Sequence, residues 1–187
     1  MEYVEVFDFD GTIYNGDATL DFYFFCLMRH PRLMKYVPRQ TLSGIKYYLK
    51  KEDIVYFKSQ FLCFLKEIDL KEETEIFWIS YYRKIKHWYN IREKNRDIII
   101  SASPRFLLEP ICKDLKVKGL IASEVNEKTG ELIGFNCKGE EKVRRFKERF
   151  GYMPIKTFYS DSLSDTPMAR LAQQSYLVRK EEIRPWR

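Results

Sequence analysis

The feature that most narrows what this chain can fold into is Asp97-Ile98-Ile99-Ile100-Ser101, a short run of β-branched residues without polar alternation. A run of this kind fits a strand covered on both faces, which is the environment of a parallel sheet between layers of helices. Segments 3–8, 119–122, 155–159 and 175–178 have the same short, apolar, turn-bounded character. Helix-length stretches separate them, at about 85–95, 103–115, 139–150 and 166–172. Alternating strands and helices predict an α/β fold with a doubly wound, mostly parallel, Rossmann-like sheet. Lys128-Thr129-Gly130 between extended segments predicts a hairpin over 126–132.

The stretch from Asp17 to about Ser80 breaks this alternation. Aromatic and aliphatic runs at 20–28, 54–65 and 75–82, interrupted by Pro31, Pro38 and Gly44, predict an all-helical insert that forms a separate lobe. The expected division is a core of residues 1–14 with 84–187 and an insert of residues 15–83. Trp78, Trp88 and the aromatic run 22–25 are most simply packing within that insert, since helix faces this apolar are normally buried.

Ligands in open α/β sheets bind beyond the carboxyl ends of the strands. Asp8 with Asp10, Ser101, and Asp161 with Asp165 all fall at such ends, and Lys142 lies early in a helix. Four acids in one place need a hard cation, and Mg²⁺ suits a few carboxylates plus water and phosphate oxygens. A lysine and a hydroxyl supply the charge and donors that acids lack. The set suits phosphoryl transfer, with one carboxylate attacking phosphorus and a second moving the proton. Each residue alone has an ordinary explanation: Asp-Gly turns, helix-capping aspartates, a solvated lysine.

Taken together, Asp8-Phe9-Asp10-Gly11-Thr12, 98–103 with Ser101, Lys142, and Ser160-Asp161-Ser162-Leu163-Ser164-Asp165 resemble, in order and spacing, the four motifs of the haloacid dehalogenase superfamily. The resemblance implies Asp8 as nucleophile, Asp10 as general acid and base, and Ser101, Ala102 and Lys142 as phosphate binders. It implies Mg²⁺ held by Asp8, Asp161 and the main-chain carbonyl of Asp10, with Thr12 and Asp165 in support. The insert resembles the family's helical C1 cap and places the chain nearest the phosphoserine phosphatase-like branch, with Ser160 standing where that branch has glycine. Asp17 lies where relatives carry an acid near the substrate amine, but it also precedes a helical run as an N-cap. Asp10 separates this chain from dehalogenases, which lack the second acid, and from transport ATPases, which carry threonine there.

Charge bears on the partner. Residues 26–58 hold 8 lysines and arginines against 2 acids, whereas the rest of the chain is balanced. A basic patch attracts anions of any kind, so a phosphorylated small molecule is the expected partner, an anionic membrane surface the alternative, and nucleic acid the remote one. The corresponding functions are a phosphatase of a small soluble phosphomonoester, a phosphatase of a membrane lipid phosphate such as phosphatidylglycerophosphate, and a non-catalytic anion- or nucleic-acid-binding module. Intact Asp8, Asp10, Lys142 and Asp161 argue against the last. Pro31 and Pro38 are expected to break the basic stretch into pieces too short for a long interfacial helix. Nothing in the sequence reads as a signal peptide or a span of about 18 apolar residues, so a cytoplasmic location is expected. Cys26, Cys63, Cys112 and Cys137 lie far apart and are expected to be reduced and mostly buried. His30 and His87 are expected at the surface.

Overall fold

The computed structural model describes residues 3–186. Among these residues seven strands form one sheet: β1 (Val4–Phe7), β2 (Asp97–Pro104), β3 (Gly119–Val125), β4 (Leu132–Ile133), β5 (Ile155–Ser160), β6 (Ala172–Arg179) and β7 (Glu182–Pro185), in the order β4-β3-β2-β1-β5-β6-β7. The pairs from β3 to β6 are parallel, and β4 and β7 are antiparallel edges. Strand order reverses at β1, which lies between β2 and β5, so the crevice at its carboxyl end is the switch point where this architecture binds ligands.

Period-two alternation sends neighbouring side chains to opposite faces. Val6, Ile98, Ile100, Ile121 and Phe158 join a cluster on one face with Phe146 of α7 (Glu140–Phe150). Phe7, Ile99, Leu120 and Ala122 join the other, with residues of α1 (Ala18–Arg29), α4 (Leu70–Tyr81) and α6 (Arg105–Asp114). The insert is thus anchored on the sheet's own core: Trp78 of α4 donates its indole N–H to the Leu107 carbonyl at 2.6 Å. Its remaining helices are α2 (Val37–Tyr48) and α3 (Ile54–Phe61), which pack together. The chain enters and leaves the insert side by side: Tyr14 and Ile85 form an antiparallel bridge, Asn15 N–H reaches the Lys84 carbonyl at 2.8 Å, and Lys86 N–H reaches Ile13 at 2.8 Å.

Several expectations change. The helix at 85–95 shrinks to α5 (His87–Asn90), because the bridge to Tyr14 occupies Ile85 and the bond to Ile13 occupies the Lys86 amide. Trp88 packs on Phe7 and Tyr159 of the sheet, at 6.4 and 5.7 Å between ring centroids, so it belongs to the sheet's packing. Ser103-Pro104 ends β2 after a bulge instead of opening the helix, with Pro104 as N-cap of α6. The helix expected over 166–172 is α8 (Thr166–Ala169), and β6 starts at Ala172. Strand β7 has no counterpart in the sequence reading, since its exposed residues show no apolar alternation. Pro31 and Pro38 divide the basic stretch as expected: Pro31 opens a short 3-10 turn over Pro31–Tyr36, and Pro38 falls in the first turn of α2, where a missing N–H costs nothing.

The 126–132 hairpin is present, with Val125 opposite Leu132. All four cysteines are buried thiols. His87 is exposed, whereas His30 is half-buried and lies 2.9 Å from a Glu73 oxygen. No helix among the described residues is long and apolar enough to cross a membrane.

Candidate active site

A cavity of about 480 Å³ opens at the carboxyl end of β1, within the size range of small-molecule sites. Asp8, the first residue after β1, is fixed by its own amide, which donates to the Tyr159 carbonyl at 2.8 Å. Its Oδ1 accepts from Lys142 Nζ at 2.7 Å, and Lys142 also donates to Asp165 Oδ2 at 2.7 Å. Lys142 reaches this point from the first turn of α7 and is 2% exposed. Burial opposes its charge, but Asp8 and Asp165 outweigh that and hold the ammonium above the ordinary lysine value. Burial likewise drives Asp8 up to about 7, with Lys142 opposing and Asp165 adding to the rise.

Asp10 faces elsewhere. Its Oδ1 accepts the Ala18 amide at 2.7 Å at the start of α1, and its Oδ2 accepts Ser103 Oγ at 2.5 Å. Burial, then the nearby charge of Asp17, pushes its carboxyl up to about 6, close to the range suited to proton transfer at neutral pH. Ser101 is fully buried and does not line the cavity: its Oγ accepts the Ser103 amide at 3.0 Å and lies 3.4 Å from Asp10 Oδ2. It underpins Asp10 and Ser103, while the adjacent Ala102 does reach the cavity wall.

Asp161 and Asp165 line the cavity from the loop after β5. Gly11 makes room for Asp161: at φ +71°, a Cβ there would lie 2.1 Å from the Asp161 carboxylate. Ser160 donates to Asp165 Oδ2 at 2.8 Å, so the serine at this position braces the acid that braces Lys142. Thr12 is buried beneath the loop, off the cavity wall, and its Oγ1 has no hydrogen-bond partner among the described residues. Asp17 caps α1 through the Leu20 amide at 2.9 Å and also lines the cavity.

Among the described residues, no three carboxylate, histidine or cysteine side chains form a closed metal cage. The donors fit Mg²⁺, which takes one or two protein carboxylates and completes its shell with water and phosphate. Asp8 and Asp161 offer those carboxylates, and Asp165 keeps a buried oxygen, Oδ1, without a partner. With the Asp10 side chain committed to α1 and Ser103, its main-chain carbonyl is the group left for a cation.

Sequence reasoning missed Ser103 and Lys58. Ser103 links Asp10 to the Thr19 hydroxyl, 2.8 Å away on α1. Lys58, on α3, donates to the Ala102 carbonyl at 2.7 Å and to Asn136 Oδ1 at 2.6 Å, joining the insert to β2 and to the segment after β4. Burial pulls its ammonium down to about 8. Its signal was a lone charged residue in an otherwise uncharged helix, hidden within a basic segment counted as one patch.

A family model described as haloacid dehalogenase-like hydrolase matches residues 6–170. Protein CicA of Caulobacter vibrioides is 27% identical over 191 residues, covering 90% of this chain and 82% of that protein. A protein with unknown function from Bordetella pertussis Tohama I superposes with a TM-score of 0.74 at 18% identity, over 94% of this chain and 89% of that one. A phosphoserine phosphohydrolase-like protein from Francisella tularensis gives 0.60 at 16% identity, over 97% and 90%. A substrate-bound phosphoserine phosphatase gives 0.56 at 14% identity, over 94% and 85%. These structures share the fold of this chain.

Proposed function

Because the chain belongs to the haloacid dehalogenase-like hydrolase family, we propose that it is a Mg²⁺-dependent phosphatase that hydrolyses a phosphomonoester through an aspartyl-phosphate on Asp8. The observation that carries this reading is the separation of two carboxylates in one cavity: Asp8 on Lys142 and Asp10 on the start of α1. Asp8 sits against the Lys142 ammonium, and Asp10 is held by the Ala18 amide and the Ser103 hydroxyl, so the two acids occupy separate places suited to a nucleophile and a proton carrier.

An Asp8 oxygen attacks phosphorus and the ester bond breaks, with Asp10 giving its proton to the leaving oxygen. Asp10 then takes a proton from the water that attacks the phosphoryl group, which frees phosphate and restores Asp8. Lys142 stays protonated and neutralises charge on the phosphoryl oxygens, beside the Ala102 backbone. Mg²⁺, held by Asp8, Asp161 and the Asp10 carbonyl, would add further charge neutralisation. Residues 15–83 act as the cap, entering and leaving beside the Tyr14–Ile85 bridge, and cover the cavity against water.

The substrate we infer is a small soluble phosphomonoester of the cytoplasm, of a size the cavity can enclose, with an apolar portion against Leu20, Phe57, Phe61 and Leu62. A lipid phosphate is the second reading, favoured by the same apolar wall and by Leu20, which lines the cavity while 45% exposed. A panel of phosphorylated metabolites and phospholipids assayed with Mg²⁺ tests both. Asp8→Asn should abolish turnover with an unchanged circular dichroism spectrum, and Asp10→Asn should lose on the order of 10²–10⁴-fold. A near-normal rate in folded Asp8→Asn would refute the covalent route.

A further inference from the structure

Helix α2 is built inside out. A helix on a globular surface normally turns its apolar stripe inward, yet α2 buries Gln40 and Ser43 and exposes Leu42 at 55%, Ile45 at 52% and, just past its end, Leu49 at 55%. The buried polar groups are satisfied: Gln40 accepts from Tyr23 Oη at 2.6 Å and donates to the Phe61 carbonyl at 2.8 Å, and Ser43 donates to Glu52 at 3.3 Å. The inward face is therefore a made hydrogen-bonded contact, and the outward apolar face is not a packing error.

The exposed residues follow helical spacing. Pro38, Leu42, Ile45 and Leu49 fall on one line at i, i+4, i+7 and i+11, with Tyr48, 85% exposed, beside it. Arg39 and Lys46 fall together along one flank, and Lys50 and Lys51 follow directly after the end of the helix. Among residues 31–58 the acids are Glu52 and Asp53; Glu52 pairs with Lys46, and Asp53 caps α3 through the Tyr56 amide. Helix α1, tied to α2 by the Tyr23–Gln40 bond, adds an exposed row of Leu20, Phe24 and Met28, and Leu20 reaches the cavity.

We propose that this face docks the protein onto an anionic lipid surface. An apolar stripe flanked by lysine and arginine, with tyrosine at its margin, is the pattern of a helix lying in the headgroup region. The charge selects lipid over a second copy, which would bring the same basic flank against this one. The surface is separate from the catalytic residues, so the proposal does not rest on the assigned reaction.

Sedimentation with vesicles of phosphatidylcholine alone, or of phosphatidylcholine with phosphatidylglycerol, tests it on the full chain. The protein should sediment with the anionic vesicles and be released as salt rises. Lys50→Glu with Lys51→Glu should weaken binding at least about fivefold for each base removed. Ile45→Glu with Leu49→Glu should abolish it, while hydrolysis of a soluble phosphoester and the Asp8→Asn variant's vesicle binding stay unchanged. No binding to anionic vesicles by the unaltered protein would overturn the proposal. So would a dimer in solution that Ile45→Glu with Leu49→Glu converts to monomer without any change in vesicle binding.

Discussion

Asp97 shows how one buried acid sets a pH response apart from catalysis. It opens β2 at 1% exposure, 3.5 Å from an Arg92 guanidinium that is engaged more closely with Glu5 at 2.6 Å. Burial therefore prevails over Arg92, and the carboxyl is driven up to about 6. An acid whose folded pKa exceeds its unfolded value favours folding when protonated, so that contribution is full below about 4 and is lost as pH rises through 4 to 6. Asp97→Asn keeps the shape and removes the titration. Urea midpoints should be less sensitive to pH in this variant than in the parent protein between pH 4 and 6. At pH 7.5 the variant should be more stable by on the order of 2 kcal/mol. Equal pH dependence in the two proteins would remove Asp97 from this role.

At the scale of elements, the small hairpin from β3 to β4 holds the insert in place. Leu132 donates its amide to Ser59 Oγ at 3.0 Å, and the turn glycine Gly130 sits against the backbone that follows α3. With φ at +79°, a Cβ on Gly130 would lie 2.1 Å from the Leu62 carbonyl oxygen, so even a methyl group forces the hairpin and the insert apart. Gly134, at φ +72°, has nothing within 4 Å of the same position and isolates backbone strain from collision. Gly134→Ala should cost about 1 kcal/mol. Gly130→Ala should cost clearly more in thermal unfolding and should also raise KM, because Phe61 and Leu62 of the cavity wall move with that backbone. Equal costs would show that the hairpin does not brace the insert.

For the molecule as a whole, the excess of acids over lysine in the cavity should couple stability to a bound cation. Mg²⁺ that binds only the folded protein should stabilise it by about 2.7 kcal/mol at 100 times its Kd. Thermal unfolding should shift upward with Mg²⁺, and chelator should abolish both the shift and the activity. Asp161→Ala should lose most of the shift, whereas Asp17→Ala should keep it, since the Asp17 carboxylate is engaged in capping α1 through the Leu20 amide. The reverse order would reassign the metal site. The basic segment also changes character at this scale: Arg29 pairs with Glu73, Lys35 with Glu67 and Lys46 with Glu52, so much of its charge is answered within the insert.

The sheet and its motifs were legible in the sequence because they rest on local rules. Short β-branched and aromatic runs, a triple isoleucine among them, a Lys-Thr-Gly turn and acids at strand ends are written in consecutive residues, and the strands from β1 to β6 follow from them. The site's acids were legible for the same reason, as was Lys142 at the start of a helix. What the tertiary structure decided are contacts between residues far apart in the chain. Ser103 became a partner of Asp10 only because the bulge in β2 carries it 93 positions back to the first loop. Lys58 reached Ala102 only once α3 lay over the sheet. The exposed apolar face of α2 could not be read either, since which side of a helix is buried depends on what packs against it, and here Tyr23 and Phe61 chose the polar one.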